Sequence, residues 1–445
     1  MNQFCENLLH AGLNLMHVMN DTLWEYVDFY IILAIGLYLT FKSNFFQIRT
    51  IIRPRETFRH LKRISEDDRI NGGIRPLRLY FSSMGGSIGI GNIGGIVSAV
   101  SIGGPGGLFW MWVAVFVGML VKYAEIFLGI KYRVKNKSGG YDGGAMYYLS
   151  HAFNSKTIPA FFCILMCIYG TEIYQFKVVE DAFVETFGLN RIAVVACLLG
   201  LTTYVTVGGV KRLSSVCTVL MPIFLALYTF VCVYVIIRSN VNFGELFSDV
   251  LKSAFSGRAA VGGFVGSSFM TTVQQGMSNA IYSGDIGMGY DSVIQSETQI
   301  SEPGIQARTA MFSLFTDCTI CTLSVLLVLC TNQWSAGYTH GFDFVVAALS
   351  PYVPGVKQLM AVFFALAGLT TIFGYQAVAT KSAKTLSPKG PSIYLIYSIA
   401  AFIAFSFLDQ NFAREIMFIA GGLIVLVNLI GIFVLRKEIQ FSRHV

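Results

Sequence analysis

The residues best suited to chemistry lie in a glycine-rich stretch, Gly85-Gly-Ser-Ile-Gly-Ile-Gly-Asn92, in the middle of an apolar segment long enough to cross a membrane. A helix broken inside a bilayer leaves amides and carbonyls that water does not satisfy, so such breaks persist where protein, ion or substrate binds the freed groups. The freed amides suit a carboxylate, and the freed carbonyls suit sodium or an ammonium group. The pattern therefore predicts a binding site for a zwitterion and a cation.

A second polar stretch, Ala367-Gly-Leu-Thr-Thr371, lies in the middle of another apolar segment. Adjacent hydroxyls in a membrane helix commonly bond back to carbonyls of their own helix. With Ala367 one turn earlier, however, one carbonyl and two hydroxyls converge on one helix face. These three hard oxygen ligands predict a site for a small cation that needs no carboxylate.

The remaining motifs point to no enzyme. Gly89-Ile-Gly-Asn-Ile-Gly94 matches the GxGxxG pattern, but a nucleotide site needs a preceding strand and a βαβ unit, which this apolar sequence does not predict. Close helix packing is the other use of such glycines. Cys318 and Cys321 form a CxxC pair without a redox context, and the six histidines have no metal-ligand spacing. We expect no catalytic residues and no cofactor besides a coupling ion.

The composition is that of a polytopic membrane protein. Of 445 residues, 54% are hydrophobic and 13% are charged, and the mean hydropathy is +0.61; soluble domains have roughly 45–50% apolar and about 25% charged residues. The net charge of +7 comes from basic residues in loops beside apolar segments, which indicates membrane topology rather than nucleic-acid binding. The first 25 residues contain acids and no basic region, so we expect no cleaved signal peptide.

Eleven segments have the length and apolarity of membrane spans: 24–45, 79–102, 108–130, 158–187, 192–209, 214–237, 260–284, 309–330, 357–380, 391–408 and 412–435. Nine basic residues in 46–78 and four in 131–137 place these loops in the cytoplasm by the positive-inside rule. We therefore predict an all-α integral protein of the inner membrane, with the N-terminus outside and the C-terminus cytoplasmic.

The spans after the first one divide into two sets of five. The predicted single transmembrane domain, 1–445, comprises an extra helix at 24–45, a first repeat at 79–237 and a second at 260–435. Glycine-rich breaks at 85–92 and 262–268 fall in the first and sixth of the ten repeat spans. Broken helices at corresponding positions of two halves indicate an inverted repeat with a site at the membrane midplane.

The two polar stretches resemble the broken first core helix and the sodium-binding eighth helix of the leucine-transporter (neurotransmitter:sodium symporter) fold. The resemblance implies a first sodium site formed by three carbonyls and two hydroxyls, from Gly85, Ile88, Ala367, Thr370 and Thr371. It implies a second one from the Ser87 carbonyl and the Asn92 side chain. A substrate carboxylate would lie beside it, held by the amides of Ile90 and Gly91.

More of the chain resembles the alanine or glycine:cation symporter family. The matching motifs follow the family in order and spacing: Gly89-Ile-Gly-Asn-Ile-Gly-Gly95, Gly103-Gly-Pro-Gly-Gly-Leu-Phe-Trp-Met-Trp112, Lys122-Tyr-Ala-Glu125, Lys131-Tyr-Arg133, Gly143-Gly-Ala-Met-Tyr-Tyr148, Gly208-Gly-Val-Lys-Arg212, Ala259-Ala-Val-Gly-Gly-Phe-Val-Gly-Ser267 and Asp317. The resemblance implies sodium-coupled import of a small neutral amino acid of the alanine, glycine or serine class, D-alanine included. We expect the protein to act as a monomer in the lipid bilayer.

One segment departs from the family. Where its members usually read Ser-Asn-Glu-Ala-Gly-Leu-Gly-Ser, this chain has Ser283-Gly-Asp-Ile-Gly-Met-Gly-Tyr290, so that Asp285 replaces a glutamate. Gln175 matches a family glutamine expected to face the substrate. Phe264 and Ser267 are expected to close over a small side chain. The departure affects substrate choice and ion stoichiometry more than the transport role.

Charged residues within spans leave two alternatives open. For those near span ends, such as Lys122 and Glu125, snorkelling to the interface is the ordinary interpretation. Glu172 and Asp317 are the best internal candidates, and either could carry a proton in place of sodium in a proton-coupled carrier or exchanger. Alternatively, Glu172 pairs with Lys177 or another lysine. A third class, a transceptor without concentrative uptake, would usually add a soluble signalling domain, which we do not find.

Overall fold

The computed structural model describes residues 2–55, 57, 72–136, 139–256, 269–407 and 410–441, which are helical apart from one short hairpin and connecting turns. The elements in chain order are α1 (Asn2–Asp21), a π-helical segment (Thr22–Asp28), α2 (Phe29–Lys42), α3 (Phe46–Ile52), α4 (Pro76–Ser87), a 3-10 turn (Ile90–Asn92), α5 (Gly95–Gly103), α6 (Gly107–Lys131), β1 (Val134–Lys135), β2 (Tyr141–Asp142), α7 (Ala145–Phe153), α8 (Thr157–Tyr169), α9 (Ile173–Phe187), α10 (Arg191–Val207), α11 (Gly209–Arg238), α12 (Phe243–Ser256), α13 (Phe269–Ser283), α14 (Tyr290–Gln295), α15 (Pro303–Cys330), α16 (Gly341–Leu349), α17 (Val356–Leu386), α18 (Gly390–Phe405) and α19 (Gln410–Val434).

Within the described ranges, seven helices are long and apolar enough to cross a membrane, and the bent pair α4 and α5 makes an eighth. Two shorter apolar helices, α10 and α18, coincide with further predicted spans. The prediction of a predominantly helical, multi-pass membrane protein is confirmed. The count of eleven spans and the inverted repeat stay predictions.

The first predicted break is present in the structure. α4 begins at Pro76, whose ring fixes a helical φ and whose missing N–H costs nothing at a first helical position. The helix ends at Ser87, and Ile88 and Gly89 are extended before the 3-10 turn begins. Across this break the two half-helices bend by 66°.

A second break lies at residues 284–289, between α13 and α14. Asp285, Gly287 and Gly289 all have left-handed φ angles, of 51°, 80° and 81°, which end the helix. The sequence had indicated a break at 262–268, which lies outside the described residues. The sequence predicts that break inside the span 260–284, and it indicates 283–290 only as a departure from the family.

A third interruption divides the predicted span 158–187. α8 ends at Tyr169 and α9 begins at Ile173, and Glu172 between them has a left-handed φ of 55°. A left-handed conformation is uncommon for a residue with a side chain other than Asn or Asp. The interruption places Glu172 at the level of the first break, because Gln175, one turn later, contacts the backbone of that break.

α6 is the most enclosed candidate span. Of its most apolar stretch 89% is buried, against 39–56% in the other candidate spans. It packs against α2, α13, α14 and α15. Its charged residues Lys122 and Glu125 are therefore inside the protein rather than at a lipid surface.

Ion pairs join the hairpin to the end of α17. Lys381 lies 2.5 Å from Glu297 and 3.4 Å from Asp142, and Lys384 lies 2.8 Å from Asp142. Burial raises the pKa of Asp142, but the hydrogen bond to Lys384 and the two lysine charges lower it more, so it lies below its ordinary value of 3.8. That this face is cytoplasmic stays a prediction of the positive-inside rule.

Candidate functional site

The oxygen ligands predicted for the first sodium ion meet at Thr371. Its hydroxyl oxygen lies 3.2 Å from the Gly85 carbonyl oxygen, 3.5 Å from that of Ile88 and 3.1 Å from that of Ala367. The Thr370 hydroxyl is 2.9 Å from the same Ala367 oxygen. Oxygens that share a hard cation at about 2.4 Å lie about 3.4 Å apart in an octahedral arrangement, so these spacings match a cation shell.

Asn92 directs the broken backbone toward this point. Its Oδ1 accepts a hydrogen bond from the Gly89 N–H at 2.8 Å, the donor that would otherwise bond the Gly85 carbonyl in a continuous helix. The Gly85 carbonyl is thereby released toward Thr371. Asn92 Nδ2 donates to Asp317 Oδ1 at 2.5 Å, which ties the turn to α15.

Two glycines allow the break to approach its neighbours. A Cβ at Gly89 would lie 2.8 Å from Gln175 Nε2 and 2.9 Å from Thr371 Oγ1. A Cβ at Gly85 would lie 2.6 Å from Cys217 Sγ. Real side chains essentially never come so close, so both positions require glycine for contact rather than for backbone conformation.

Gln175 closes the amide side of the break. Its Oε1 accepts a hydrogen bond from the Ile90 N–H at 3.3 Å, one of the two amides predicted to bind a substrate carboxylate. A carboxylate at this amide would therefore replace the Gln175 oxygen and free its side-chain amide to donate. Ser87, at the end of α4, donates its hydroxyl to the Ser83 carbonyl at 3.1 Å.

A cavity of about 1120 Å³, its open mouth included, extends from the break to residues 339–342. Among the predicted substrate and ion ligands, its described lining includes Ser87, Gly89, Gly91, Asn92, Gln175 and Thr371. Phe264 and Ser267, expected to close over a substrate, lie outside the described residues. The size accommodates an amino acid together with water.

Several charged residues depart from the sequence prediction. Lys122 and Glu125 do not snorkel, because both side chains are fully buried in α6. The alternative in which Glu172 pairs with Lys177 is also wrong. Lys177 Nζ lies 3.1 Å from Asp181 and 2.9 Å from the Ser406 carbonyl.

Sequence reasoning missed the partner of Lys122. The lysine lies 2.6 Å from Asp291 in α14 and donates to the Gly284 carbonyl at 2.7 Å, and both charged side chains are fully buried. Asp291 also accepts a hydrogen bond from Ser83 in α4. The sequence did contain a signal for this pair. Asp291 is an acid just after the glycine-rich segment 284–289, and Lys122 is a basic residue inside another predicted span that could neutralise it.

An aromatic cluster of Trp24, Tyr282 and Phe418 lies beside the cavity, whose lining includes Tyr282 and Phe418. Tyr282 and Phe418 stack with centroids 4.4 Å apart, and Trp24 meets Tyr282 edge-on at 5.5 Å. Trp24 Nε1 also donates to the Phe418 carbonyl at 2.9 Å. The extra N-terminal span therefore forms part of the wall beside the site, a role that the sequence did not indicate.

Fold and site define a membrane transporter with a leucine-transporter-like fold. The model of the sodium:alanine symporter family matches residues 10–442, and the chain belongs to that family. The family consists of transporters rather than enzymes, and the resemblance found in the sequence motifs is confirmed.

Two relatives and one solved structure illustrate the similarity. The probable sodium/glutamine symporter GlnT of Bacillus subtilis is 28% identical over 434 residues, which cover 96% of this chain and 89% of the relative. The sodium/alanine symporter AgcS of Methanococcus maripaludis is 26% identical over 441 residues, with 95% and 94% coverage. A manganese transporter of Eremococcus coleocola has a TM-score of 0.51 and 16% identity, with 78% and 76% coverage, and shows the fold alone.

Proposed function

We propose that this sodium-coupled amino acid symporter imports a small neutral amino acid of the alanine, glycine or serine class by alternating access. One observation carries the cation site. Thr371 has a single hydroxyl hydrogen, while the carbonyl oxygens of Gly85, Ile88 and Ala367 all lie within 3.5 Å of its oxygen. One hydrogen satisfies one of them at a time, whereas a cation at their centre would satisfy all three.

The substrate is proposed to bind beside this ion. Its carboxylate would take the amides of Ile90 and Gly91, where the half-helix dipole favours negative charge, and Gln175 would donate to it. The narrow space around Gly89 favours a small side chain. That Phe264 and Ser267 close over this side chain stays a prediction from the sequence.

The coupling energy is sufficient for concentrative uptake. A sodium ion that enters through about 100 mV contributes roughly 2.3 kcal/mol, and a tenfold gradient adds about 1.4 kcal/mol. Their sum of about 3.7 kcal/mol supports roughly 500-fold accumulation per ion. The mouth at residues 339–342 would face outside in the proposed inner-membrane topology.

The test is uptake of labelled alanine, glycine and serine into proteoliposomes, with sodium and proton gradients imposed separately. Thr371→Val removes the oxygen at constant volume, and Thr371→Ser retains it. Thr370→Ala removes the second hydroxyl. Thr319→Val, on an exposed face of α15 where the hydroxyl bonds only its own helix at 2.9 Å, is the matched control.

We expect Thr371→Val and Thr370→Ala to raise the sodium concentration for half-maximal uptake by roughly tenfold or more, since hydrogen bonds and ligands to charged groups contribute about 1.5–3 kcal/mol. Thr371→Ser and Thr319→Val should behave as the wild type. Unchanged sodium activation in both of the first two variants would refute the cation site. Binding without concentrative uptake would instead indicate a transceptor.

A proton-coupled carrier is the second candidate. The observation that favours it is Glu172, which lines the cavity with 1% of its surface exposed and lies beside the substrate region. Asp317, equally buried, is bonded to Asn92 and is the less available of the two. Uptake that persists without sodium and collapses with the pH gradient would establish this function.

A further inference from the structure

Three unpartnered polar atoms meet at one end of the cavity. Glu172 Oε1, Asp285 Oδ2 and the Tyr375 hydroxyl oxygen are buried, and none has a hydrogen bond of ordinary geometry among the described residues, although Tyr375 lies close to Asp285 and Gln175 lies close to Glu172. All three residues line the cavity, with 1%, 4% and 1% of their surfaces exposed. Buried polar groups are nearly always bonded, so three orphaned ones around one space indicate a missing ligand.

Asp285 shares the nearest buried cation with a second acid. Lys122 lies 2.6 Å from Asp291 and donates to the Gly284 carbonyl at 2.7 Å, and its charge also acts on Asp285. No ion pair joins Lys122 to Asp285 among the described residues, so one buried lysine faces two carboxylates. Asp285 itself lines the cavity, in a left-handed turn.

Glu172 forms no ion pair among the described residues, although Gln175 lies close to it. Lys177, in the helix that follows it, bonds Asp181 and the Ser406 carbonyl. Arg414 is the one permanent cation among the described lining residues, and its side chain is 41% exposed and bonded to Glu415. The cavity lining therefore carries two buried carboxylates that interact electrostatically, and neither forms an ion pair with a described cation.

The surroundings favour an organic cation over a bare ion. Tyr169, Tyr282 and Tyr375 all line the same cavity, and the rings of Tyr169 and Tyr375 have centroids 5.0 Å apart. Ammonium groups bind well between carboxylates and aromatic faces. A hard cation prefers several converging oxygens, and such a set exists at Thr371 instead.

We propose that Glu172, Asp285 and Tyr375 form the subsite that binds a protonated amine of the transported molecule. This inference rests on the proposed function and adds the recognition of the positive end of the cargo, opposite the amides that receive its carboxylate. Cargo without a protonated amine is then excluded, because its binding would leave both buried carboxylates uncompensated. The amine is either the α-ammonium group or a second, side-chain ammonium group.

The experiment is equilibrium binding of labelled alanine to the purified full-length protein in detergent at saturating sodium, with unlabelled competitors. Alanine, its hydroxy analogue lactate, and 2,3-diaminopropionate differ in the number of ammonium groups at nearly constant shape. Glu172→Gln and Asp285→Asn are compared with Glu245→Gln, an exposed acid of α12 far along the chain from the cavity.

We expect lactate to compete at least 100-fold more weakly than alanine. Glu172→Gln and Asp285→Asn should each weaken alanine binding about tenfold or more and leave the sodium dependence within twofold, whereas Glu245→Gln should change neither. Stronger competition by 2,3-diaminopropionate than by alanine would assign the subsite to a side-chain amine, and weaker competition to the α-amine; both support the proposal.

Equal competition by lactate and alanine overturns the proposal without any variant, so a misfolded variant does not decide it. Unchanged alanine affinity in Glu172→Gln and Asp285→Asn overturns it as well, even if Glu172→Gln alters proton dependence. Loss of sodium-driven uptake by the wild type, with amine-selective binding retained, would count against the proposed function and leave the subsite standing.

Discussion

Gly89→Ala and Gly91→Ala provide a matched pair within the first break. A Cβ at position 89 would lie 2.8 Å from Gln175 Nε2, 3.0 Å from its Oε1 and 2.9 Å from Thr371 Oγ1. A Cβ at position 91 would meet only Tyr282, at an ordinary 3.7 Å. Gly89 is extended, with φ −121°, a conformation that alanine adopts freely, so the difference between the variants is one of contact.

The expected effect of Gly89→Ala depends on whether Gln175 or Thr371 moves to make room for the added methyl group. Gln175 is a flexible side chain, but Thr371 is held among three carbonyls, so relief of the overlap moves an oxygen of the proposed cation site. Overpacking of this kind costs about 1–3 kcal/mol. If that cost falls on ion binding, the sodium concentration for half-maximal uptake rises roughly 5- to 150-fold, and Gly91→Ala changes it less than about twofold.

The assay is sodium activation of alanine uptake in proteoliposomes, with thermal melting in detergent to verify that both variants fold. Wild-type sodium activation in Gly89→Ala would refute the contact argument. An equal rise in both variants would show that any added methyl group disturbs the break, which would also count against it. A rise limited to position 89 supports the geometry at Thr371.

Two further predictions concern charges away from the substrate. Lys122→Met leaves the buried Asp291 without its cation and should destabilise the protein by roughly 3–5 kcal/mol, against less than about 1 kcal/mol for Lys131→Met at the exposed pair with Glu438, as measured by chemical unfolding. The ion pairs of Asp142, whose pKa is depressed below 3.8, stabilise the fold above that pH and are lost as the pH falls below it; melting temperatures of the wild type and Asp142→Asn should therefore converge in acid.

The first break could be predicted from the sequence because its signal is local. Residues 85–94 contain five glycines and an asparagine within an apolar span. Such a composition favours a binding site over ordinary helix packing. The hydroxyls of Thr370 and Thr371 carried a similar local signal. Which of these groups meet depends on how α17 packs against α4, and only the family resemblance supplied that pairing before the structure was known.

The second break and the buried charges could not be predicted in the same way. The turn at 284–289 depends on left-handed conformations that Gly287 and Gly289 permit but do not require. The burial of Lys122 depends on Asp291, which lies 169 residues later, so no local window contains both. Glu172 was noticed as an unusual acid, yet its separation from Lys177 follows from the interruption before α9.

The two sets of contacts around α4 differ in whether the proposed sodium ion would complete them. On one side, Lys122 binds Asp291 and the Gly284 carbonyl, and Asp291 accepts a hydrogen bond from Ser83, so α4, α14 and α6 are joined by permanent charges. On the other side, α4 meets α17 through carbonyls that share one hydroxyl hydrogen of Thr371. Removal of sodium would weaken the second contact alone. We therefore expect α4 and α14 to move together, away from α17, when the ion leaves, which would link ion release to a change in access.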